Sequence, residues 1–153
     1  CFSGARFARI EWMPRELDGQ EHWALLEPLL SRRELRAGEV LMNQGDPSNA
    51  SVYLIESGRL AITLRGQHQG RRLASLTAGN IVGEMALYSD VARSATVTAE
   101  RDAVVWALTR EGLASLHATS PHTALQVHAL VMRTMAERVR QANATVAALQ
   151  RGA

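Results

Sequence analysis

The spacing of hydrophobic residues changes twice along this chain, from helical to alternating and back to helical. Between Gln20 and Leu30 the apolar residues fall at the spacing of a short amphipathic helix. In the middle of the chain the period is two, most clearly where Leu60, Ile62 and Leu64 alternate with smaller or polar residues. A period of two predicts β-strands with one buried face.

Seven short segments carry this strand pattern: Arg33–Arg36, Glu39–Asn43, Val52–Glu56, Arg59–Arg65, Arg71–Leu76, Ser94–Ala99 and Ala103–Thr109. Glycine-containing turns separate them, at positions 37–38, 45–47, 56–59, 65–70 and 78–80. Short strands with glycine at their corners favour a sandwich or barrel of the jelly-roll type, a double-stranded β-helix, over residues 32–109. The predicted fold class is therefore mainly β with flanking helices.

Helical spacing returns after Thr109. One short helix is predicted over 110–117, and a long one is predicted from His122 to Arg151, because Ser120 and Pro121 form a helix start and almost no helix breaker follows. These C-terminal helices complete a domain that we place at 20–151. Residues 1–19 show no sustained period and are interpreted as a linker or the remnant of a preceding region.

An apolar stripe runs along the long helix, with one line of residues recurring every seven positions and a second line beside it. The members are Leu125, Met132, Val139 and Val146 on the first line and Met135, Ala142 and Leu149 on the second. Such a stripe either pairs two subunits or packs against the β-domain, and the sequence leaves both alternatives open.

Composition excludes several classes of protein. The 153 residues, 46% of them hydrophobic, suffice for one sizeable core. With 17 basic and 15 acidic residues the charge is nearly balanced, which does not indicate a sequence-independent nucleic-acid binder. Every basic residue is arginine, so P-loop and Schiff-base lysines are excluded.

Location and context can also be estimated from the sequence. Cys1 is the only cysteine, so no intrachain disulfide can form and a cytoplasmic setting is expected. No apolar run is long enough to span a bilayer. Because the chain starts with Cys1 and not with methionine, we expect it to be part of a longer protein.

A glycine, a glutamate and an arginine in the stretch from Val82 to Val97 suggest a ligand site. Gly83 permits close backbone approach, and the amides at the start of the following helix attract anions. The Arg93 guanidinium can bind a phosphate with two parallel hydrogen bonds. Glu84 would repel a phosphate but can accept a hydrogen bond from a hydroxyl beside it. The alternative is that both charges lie on an ordinary solvated surface.

This stretch resembles the phosphate-binding cassette of the cyclic-nucleotide-binding domain family. The motif is present as Gly83-Glu84-Met85-Ala86-Leu87 and Arg93-Ser94-Ala95-Thr96-Val97, separated by five residues. The resemblance extends from about Gln20 to Arg151. The sequence departs from the family at Ala92, where many members have proline, and the loop before it lacks a glycine.

The resemblance implies a ligand and a set of contacts. The cyclic phosphate would meet Arg93 and the amides after Gly83, including those of Met85 and Ala86. The ribose 2′-hydroxyl would meet Glu84. Ser94 would add a hydroxyl to the phosphate or the base. Cyclic AMP is the default ligand, and cyclic GMP is the alternative because cyclic-GMP-preferring members of the family often have threonine at the position of Ser94.

The resemblance also implies a sensor and not an enzyme, with the long helix moving to cover the ligand. On that helix His128 and Arg133 are candidates to touch the base. No catalytic residue or cofactor is predicted. No metal site is predicted either, because four histidines lie on predicted helices and the fifth, His68, lies in a turn.

Three settings fit such a domain. The stretch from Ile81 to Val97 and the end of the chain are similar to the domains that close some bacterial SulP-type anion transporters, which would tether this chain to a membrane protein without inserting it. A transcription regulator of the catabolite-activator type would need a DNA-binding unit after Arg151, so no nucleic-acid partner is expected here. A degenerate module that serves only protein contacts is the third possibility.

Overall fold

A computed structural model describes residues 10–64 and 72–152 of the chain. Cys1, Phe2, Phe7 and the predicted turn at 65–70, which contains His68, lie outside these residues. Within them two antiparallel four-stranded sheets form a β-roll with helices before and after it, which confirms the predicted fold class.

The strands follow the predicted pattern, with differences at the ends. They are β1 Leu30–Leu35, β2 Val40–Met42, β3 Ser51–Ser57, β4 Leu60–Thr63, β5 Arg72–Leu76, β6 Ile81–Val82, β7 Thr96–Ala99 and β8 Ala103–Thr109. One sheet has the order β1-β8-β3-β6 and the other β2-β7-β4-β5. The sequence pattern missed β6, because a strand of two residues has no measurable period.

Strand β3 separates two hydrophobic clusters. Val52 and Leu54 belong to the cluster that packs on the helices, whereas Tyr53 and Ile55 belong to the cluster inside the roll. Both faces of β3 are therefore buried, which explains why this strand is a continuous apolar run. On one edge β3 pairs with β6, where Tyr53 lies opposite Val82.

The first helix is shorter than predicted. Helix α1 spans Gln20–Leu26, and a 3₁₀ helix, Glu27–Leu29, leads into β1. Pro28 accounts for the difference, since it has no backbone N–H to continue the α-helical hydrogen bonds.

Residues 13–17 contact the hydrophobic core, although the sequence predicts a linker or the remnant of a preceding region over 1–19. A 3₁₀ helix spans Arg15–Leu17, and Met13 and Leu17 are buried in the core beside the C-terminal helices. Glu16 forms two hydrogen bonds with Arg133, from Nε to Oε2 at 2.5 Å and from Nη2 to Oε1 at 2.7 Å. The spacing of two apolar residues was too short a signal to predict this packing.

Two helices follow the roll, α2 Arg110–Thr119 and α3 Pro121–Arg151. The buried residues of α3 lie on one face of its first half: Thr123, Ala124, Val127, Leu130 and Val131. The apolar stripe lies elsewhere, because Leu125, Met132, Val139 and Val146 are 61%, 69%, 58% and 53% exposed. The alternative that this stripe packs against the β-domain is therefore wrong. Among the described helices, none has the length and hydropathy that crossing a bilayer requires.

Candidate functional site

A cleft of about 680 Å³ lies where three parts of the fold meet. One wall consists of apolar side chains near β4 and β5, among them Ile62, Leu64 and Leu73. The second wall is the segment 83–97, which we call the cassette, and the third is the part of α3 from Arg133 to Thr145. The cleft is thus apolar on one side and charged on the other.

Gly83 begins the cassette in a left-handed conformation, with φ of +79°. A Cβ atom at this position would lie 2.7 Å from Nη1 of Arg93 and 3.3 Å from the backbone oxygen of Ser51. Only glycine satisfies both the conformation and the close approach. The helix after it, Glu84–Leu87, is a single 3₁₀ turn and not an α-helix.

Arg93 lies against this glycine and is only 7% exposed. Its Nη1 donates to the Gly83 carbonyl at 3.3 Å, while Nη2 donates to the Ser51 carbonyl at 3.1 Å and to Oδ1 of Asn49. The backbone of Arg93 is bonded to the turn at 45–46, with its N–H donating to the Asp46 carbonyl at 2.9 Å. The loop 88–92 therefore returns Arg93 to Gly83 without a proline at Ala92.

Neutral oxygens are the only hydrogen-bond acceptors that the described residues offer to Arg93. Burial lowers the pKa of Arg93, and the charges of Tyr53 and Glu84 oppose this effect. A buried guanidinium without an ion pair in the described part of the chain gives the cleft a local positive potential. An anion is the ligand that such a group favours.

Glu84 is the second buried charge, at 3% exposure. Its Oε1 accepts a hydrogen bond from Nη1 of Arg138, and Nη2 of Arg138 donates to the Ile81 carbonyl at 2.7 Å. Its Oε2 is buried and has no hydrogen-bond partner among the described residues. A buried carboxylate oxygen without a donor is costly, and a ligand hydroxyl would satisfy it.

The remaining predicted site residues also line the cleft. Met85 is 48% exposed and Ser94 is exposed, so both side chains are accessible to a ligand. Ala86 is buried, and its carbonyl accepts a hydrogen bond from Nη2 of Arg110 at 2.7 Å. This bond ties the cassette to the first residue of α2.

The two residues suggested for base contact make other contacts. The Oη atom of Tyr88 lies 2.7 Å from Nδ1 of His128, and Nε2 of His128 lies 2.8 Å from Nε2 of His117. Burial lowers the pKa of His128, as does the proximity of His117. Arg133 does line the cleft, but Glu16 accepts two of its hydrogen bonds.

Sequence reasoning missed Arg138 and Asn49. Arg138 is 54 residues from Glu84, and Asn49 is 44 residues from Arg93. Contacts over such separations leave no local pattern, and only the fold brings these residues together. Within the described part of the chain, no three histidine, cysteine or acidic side chains form a group that could bind a metal.

The β-roll thus has a buried arginine and a buried glutamate in one cleft, an arrangement that suits a ligand with an anionic group and a hydroxyl. Residues 32–120 match the family model of the cyclic nucleotide-binding domain. This match covers more than half of the chain, so the chain belongs to the cyclic nucleotide-binding domain family.

Several individual proteins are also similar in sequence to this chain. A cAMP-dependent protein kinase regulatory subunit from Blastocladiella emersonii is 31% identical over 97 residues, which are 63% of this chain and 24% of that protein. A putative potassium channel protein from Rhodopseudomonas palustris is 35% identical over 103 residues, which are 67% of this chain and 24% of that protein.

Among solved structures, the catabolite activator protein of Thermus thermophilus superposes with a TM-score of 0.70 at 31% identity. The likeness covers 86% of this chain and 60% of that one. The chain spans about a fifth to a quarter of the length of the curated relatives it matches.

Proposed function

We propose that this chain is a non-catalytic sensor domain that binds a 3′,5′-cyclic nucleotide in the cleft and couples this binding to the position of α3. One observation carries the proposal. Arg93 and Glu84 are both buried in the same cleft, and Oε2 of Glu84 has no partner among the described residues. A cyclic nucleotide offers both groups that such a site needs, an anionic phosphate and a ribose hydroxyl beside it.

The cyclic phosphate binds to Arg93. The contacts of this guanidinium with Gly83, Asn49 and Ser51 leave other N–H groups available for phosphate oxygens. The amide of Ala86 already donates to the Gly83 carbonyl at 3.1 Å, which leaves the first amides of the 3₁₀ turn without an intrahelical acceptor. These amides add to the attraction for the phosphate.

The ribose 2′-hydroxyl binds to Glu84. Oε1 stays bonded to Arg138, and Oε2 accepts the hydroxyl proton. A hydrogen bond to a charged acceptor contributes about 1.5–3 kcal/mol. Glu84 cannot take the phosphate itself, because the like charges repel.

Arg138 couples the ligand to α3. This residue belongs to α3, and its guanidinium contacts both Glu84 and the carbonyl of Ile81, which lies just before the cassette. A ligand shifts a helix only if it binds one of two helix positions more tightly than the other. A tenfold preference is about 1.4 kcal/mol, which a single charge-assisted hydrogen bond supplies.

Cyclic AMP is the proposed ligand, with cyclic GMP as its competitor. The similarity to a cAMP-dependent protein kinase regulatory subunit supports cyclic AMP. Ser94 supports cyclic GMP as the competitor, because its exposed hydroxyl is available to a guanine base.

Calorimetric titration with both nucleotides tests the proposed function. We expect binding by the wild type, and binding weakened at least tenfold in Arg93→Ala, because the phosphate loses its bidentate partner. The matched control is Arg140→Ala, which removes an exposed arginine of α3 outside the cleft and should bind like the wild type.

Two results would contradict the proposal. Absence of heat with either nucleotide at near-millimolar concentration would favour a degenerate module that serves protein contacts. Equal affinities of the wild type and Arg93→Ala would mean that the phosphate binds elsewhere.

We further propose that the chain is one module of a longer cytoplasmic protein, tethered to a membrane protein such as a transporter. The similarity to a putative potassium channel protein supports this setting. Likeness to the catabolite activator protein favours a transcription regulator instead. Immunodetection in fractionated cells separates the two, since a tethered domain sediments with membranes and a regulator stays in the soluble fraction.

We also propose that two copies pair through the exposed stripe of α3. The heptad spacing of Leu125, Met132, Val139 and Val146 and their high exposure support a coiled-coil contact. Parallel pairing would place the coupling helices of two copies side by side.

A further inference from the structure

Gln141 is a polar residue of α3 whose side chain the described contacts leave available to a ligand. Most of its polar neighbours on this helix are engaged, since Arg133 bonds to Glu16 and to Glu137, and Arg138 bonds to Glu84. Gln141 also lines the cleft, and no hydrogen bond joins its amide to any residue that the structure describes. Its donor and its acceptor are therefore both available to a ligand.

The position of Gln141 suits contact with a nucleotide base. Gln141 lies three residues after Arg138, so it is about 4.5 Å further along the helix axis on a neighbouring face. Leu64 and Leu73 line the same cleft and are 40% and 56% exposed. If the ribose binds at Glu84, the flat face of the base would pack against these apolar side chains. The edge of the base would form hydrogen bonds with the Gln141 amide.

The chemistry of a carboxamide distinguishes the two purines. Adenine presents a donor at N6 beside an acceptor at N7, and a glutamine amide pairs with both at once. Guanine presents two acceptors, O6 and N7, so the amide oxygen would face an acceptor. Arginine is the side chain that pairs with O6 and N7 of guanine.

We infer that Gln141 is the residue that selects adenine over guanine in this cleft, through two hydrogen bonds to N6 and N7 of the base. The inference rests on the proposed function, that a cyclic nucleotide binds between Arg93 and Glu84. It adds a contact to the base, the part of the ligand that neither Arg93 nor Glu84 binds.

The test measures the ratio of the affinities for cyclic AMP and cyclic GMP by calorimetry. We expect Gln141→Ala to reduce the preference for cyclic AMP by about ten- to one-hundredfold. Gln141→Arg should reverse the preference towards cyclic GMP. The control is Gln150→Ala, which removes an exposed glutamine of the same helix outside the cleft and should keep the wild-type ratio.

The outcomes separate this inference from the proposed function. If the wild type and Gln141→Ala both bind with the same ratio, Gln141 does not select the base and the inference alone is overturned. If the wild type binds neither nucleotide, the proposed function fails and the inference fails with it. A circular dichroism spectrum of each variant verifies that the helix is intact.

Discussion

Gly83 combines a backbone conformation and a location that a larger residue could not adopt. Its φ of +79° is left-handed, and its α-carbon faces the Arg93 guanidinium so closely that a Cβ would lie 2.7 Å from Nη1. The glycine therefore determines where the arginine lies, and not only how the chain turns. In this way a residue without a side chain sets the geometry of a charged site.

We predict that Gly83→Ala both destabilises the domain and weakens nucleotide binding. A left-handed alanine costs about 1–2 kcal/mol, and the added methyl group must displace the guanidinium. Gly38→Ala is the matched control, because Gly38 has a φ of +92° but open space where its Cβ would be. Chemical denaturation should find both variants less stable, whereas calorimetry should find at least tenfold weaker binding only in Gly83→Ala. Equal binding by the two variants would contradict the role given to this contact.

At the scale of elements, the 3₁₀ helix Arg15–Leu17 is joined to α3 by a partly buried ion pair. The Glu16 side chain is 11% exposed and that of Arg133 is 28% exposed. Hydrogen bonds from Arg133 lower the pKa of Glu16 from 4.5 to about 2. The segment before the first helix thus stabilises the helix that lines the cleft.

The pKa of Glu16 predicts how this contact depends on pH. Because the folded pKa is lower than the unfolded one, the stabilisation is fully present above pH 4.5 and is lost as the pH falls towards 2. We expect Glu16→Gln to lower the free energy of unfolding by about 1–2 kcal/mol at pH 7, less than the full pKa difference implies because Arg133 is partly solvated.

Thermal unfolding at a series of pH values tests this prediction. The difference between the wild type and Glu16→Gln should shrink as the pH approaches 2. Glu34→Gln, which removes an exposed ion pair with Arg32, should change stability little at any pH. A difference between the wild type and Glu16→Gln that does not change with pH would show that the carboxylate charge is not the cause.

The elements that the sequence predicted are those with a repeated local pattern. The alternation around Leu60 and the long helical run after Pro121 were visible because each repeats over several residues. The short strand Ile81–Val82 and the packing of Leu17 were missed, because two residues or a single turn carry no such repeat.

The candidate site likewise consists of residues that the sequence predicted and residues that it did not. The cassette is contiguous, so Glu84 and Arg93 were identified from their own neighbourhood in the sequence. Arg138 and Asn49 reach them only through the fold, over separations of 54 and 44 residues. No pattern in a single sequence could indicate which arginine of α3 pairs with the glutamate.

At the scale of the whole molecule, the proposed pairing of two copies rests on the apolar stripe of α3. The buried residues of this helix end at Val131, but the stripe continues to Leu149, which is 67% exposed. A heptad stripe of this length is typical of a two-stranded coiled coil. Pairing along the first line of the stripe would leave the cleft open to a ligand, because none of Leu125, Met132, Val139 and Val146 lines it.

Sedimentation velocity tests this pairing. We expect the wild type to be a dimer and Val139→Glu to be a monomer, because a charge in the middle of the stripe would be buried without a partner. Ala144→Glu places the same charge on an exposed position away from the stripe and should remain a dimer. A wild type that stays monomeric with and without nucleotide would contradict the pairing.

The central claim is that one cyclic nucleotide bridges Arg93 and Glu84. The most direct test is calorimetric titration of the wild type and Glu84→Gln with cyclic AMP and with 2′-deoxy cyclic AMP. If Oε2 of Glu84 accepts the ribose hydroxyl, removing that hydroxyl should weaken binding to the wild type by about ten- to one-hundredfold and weaken binding to Glu84→Gln much less. Equal losses in the two proteins, or no loss in the wild type, would contradict the claim.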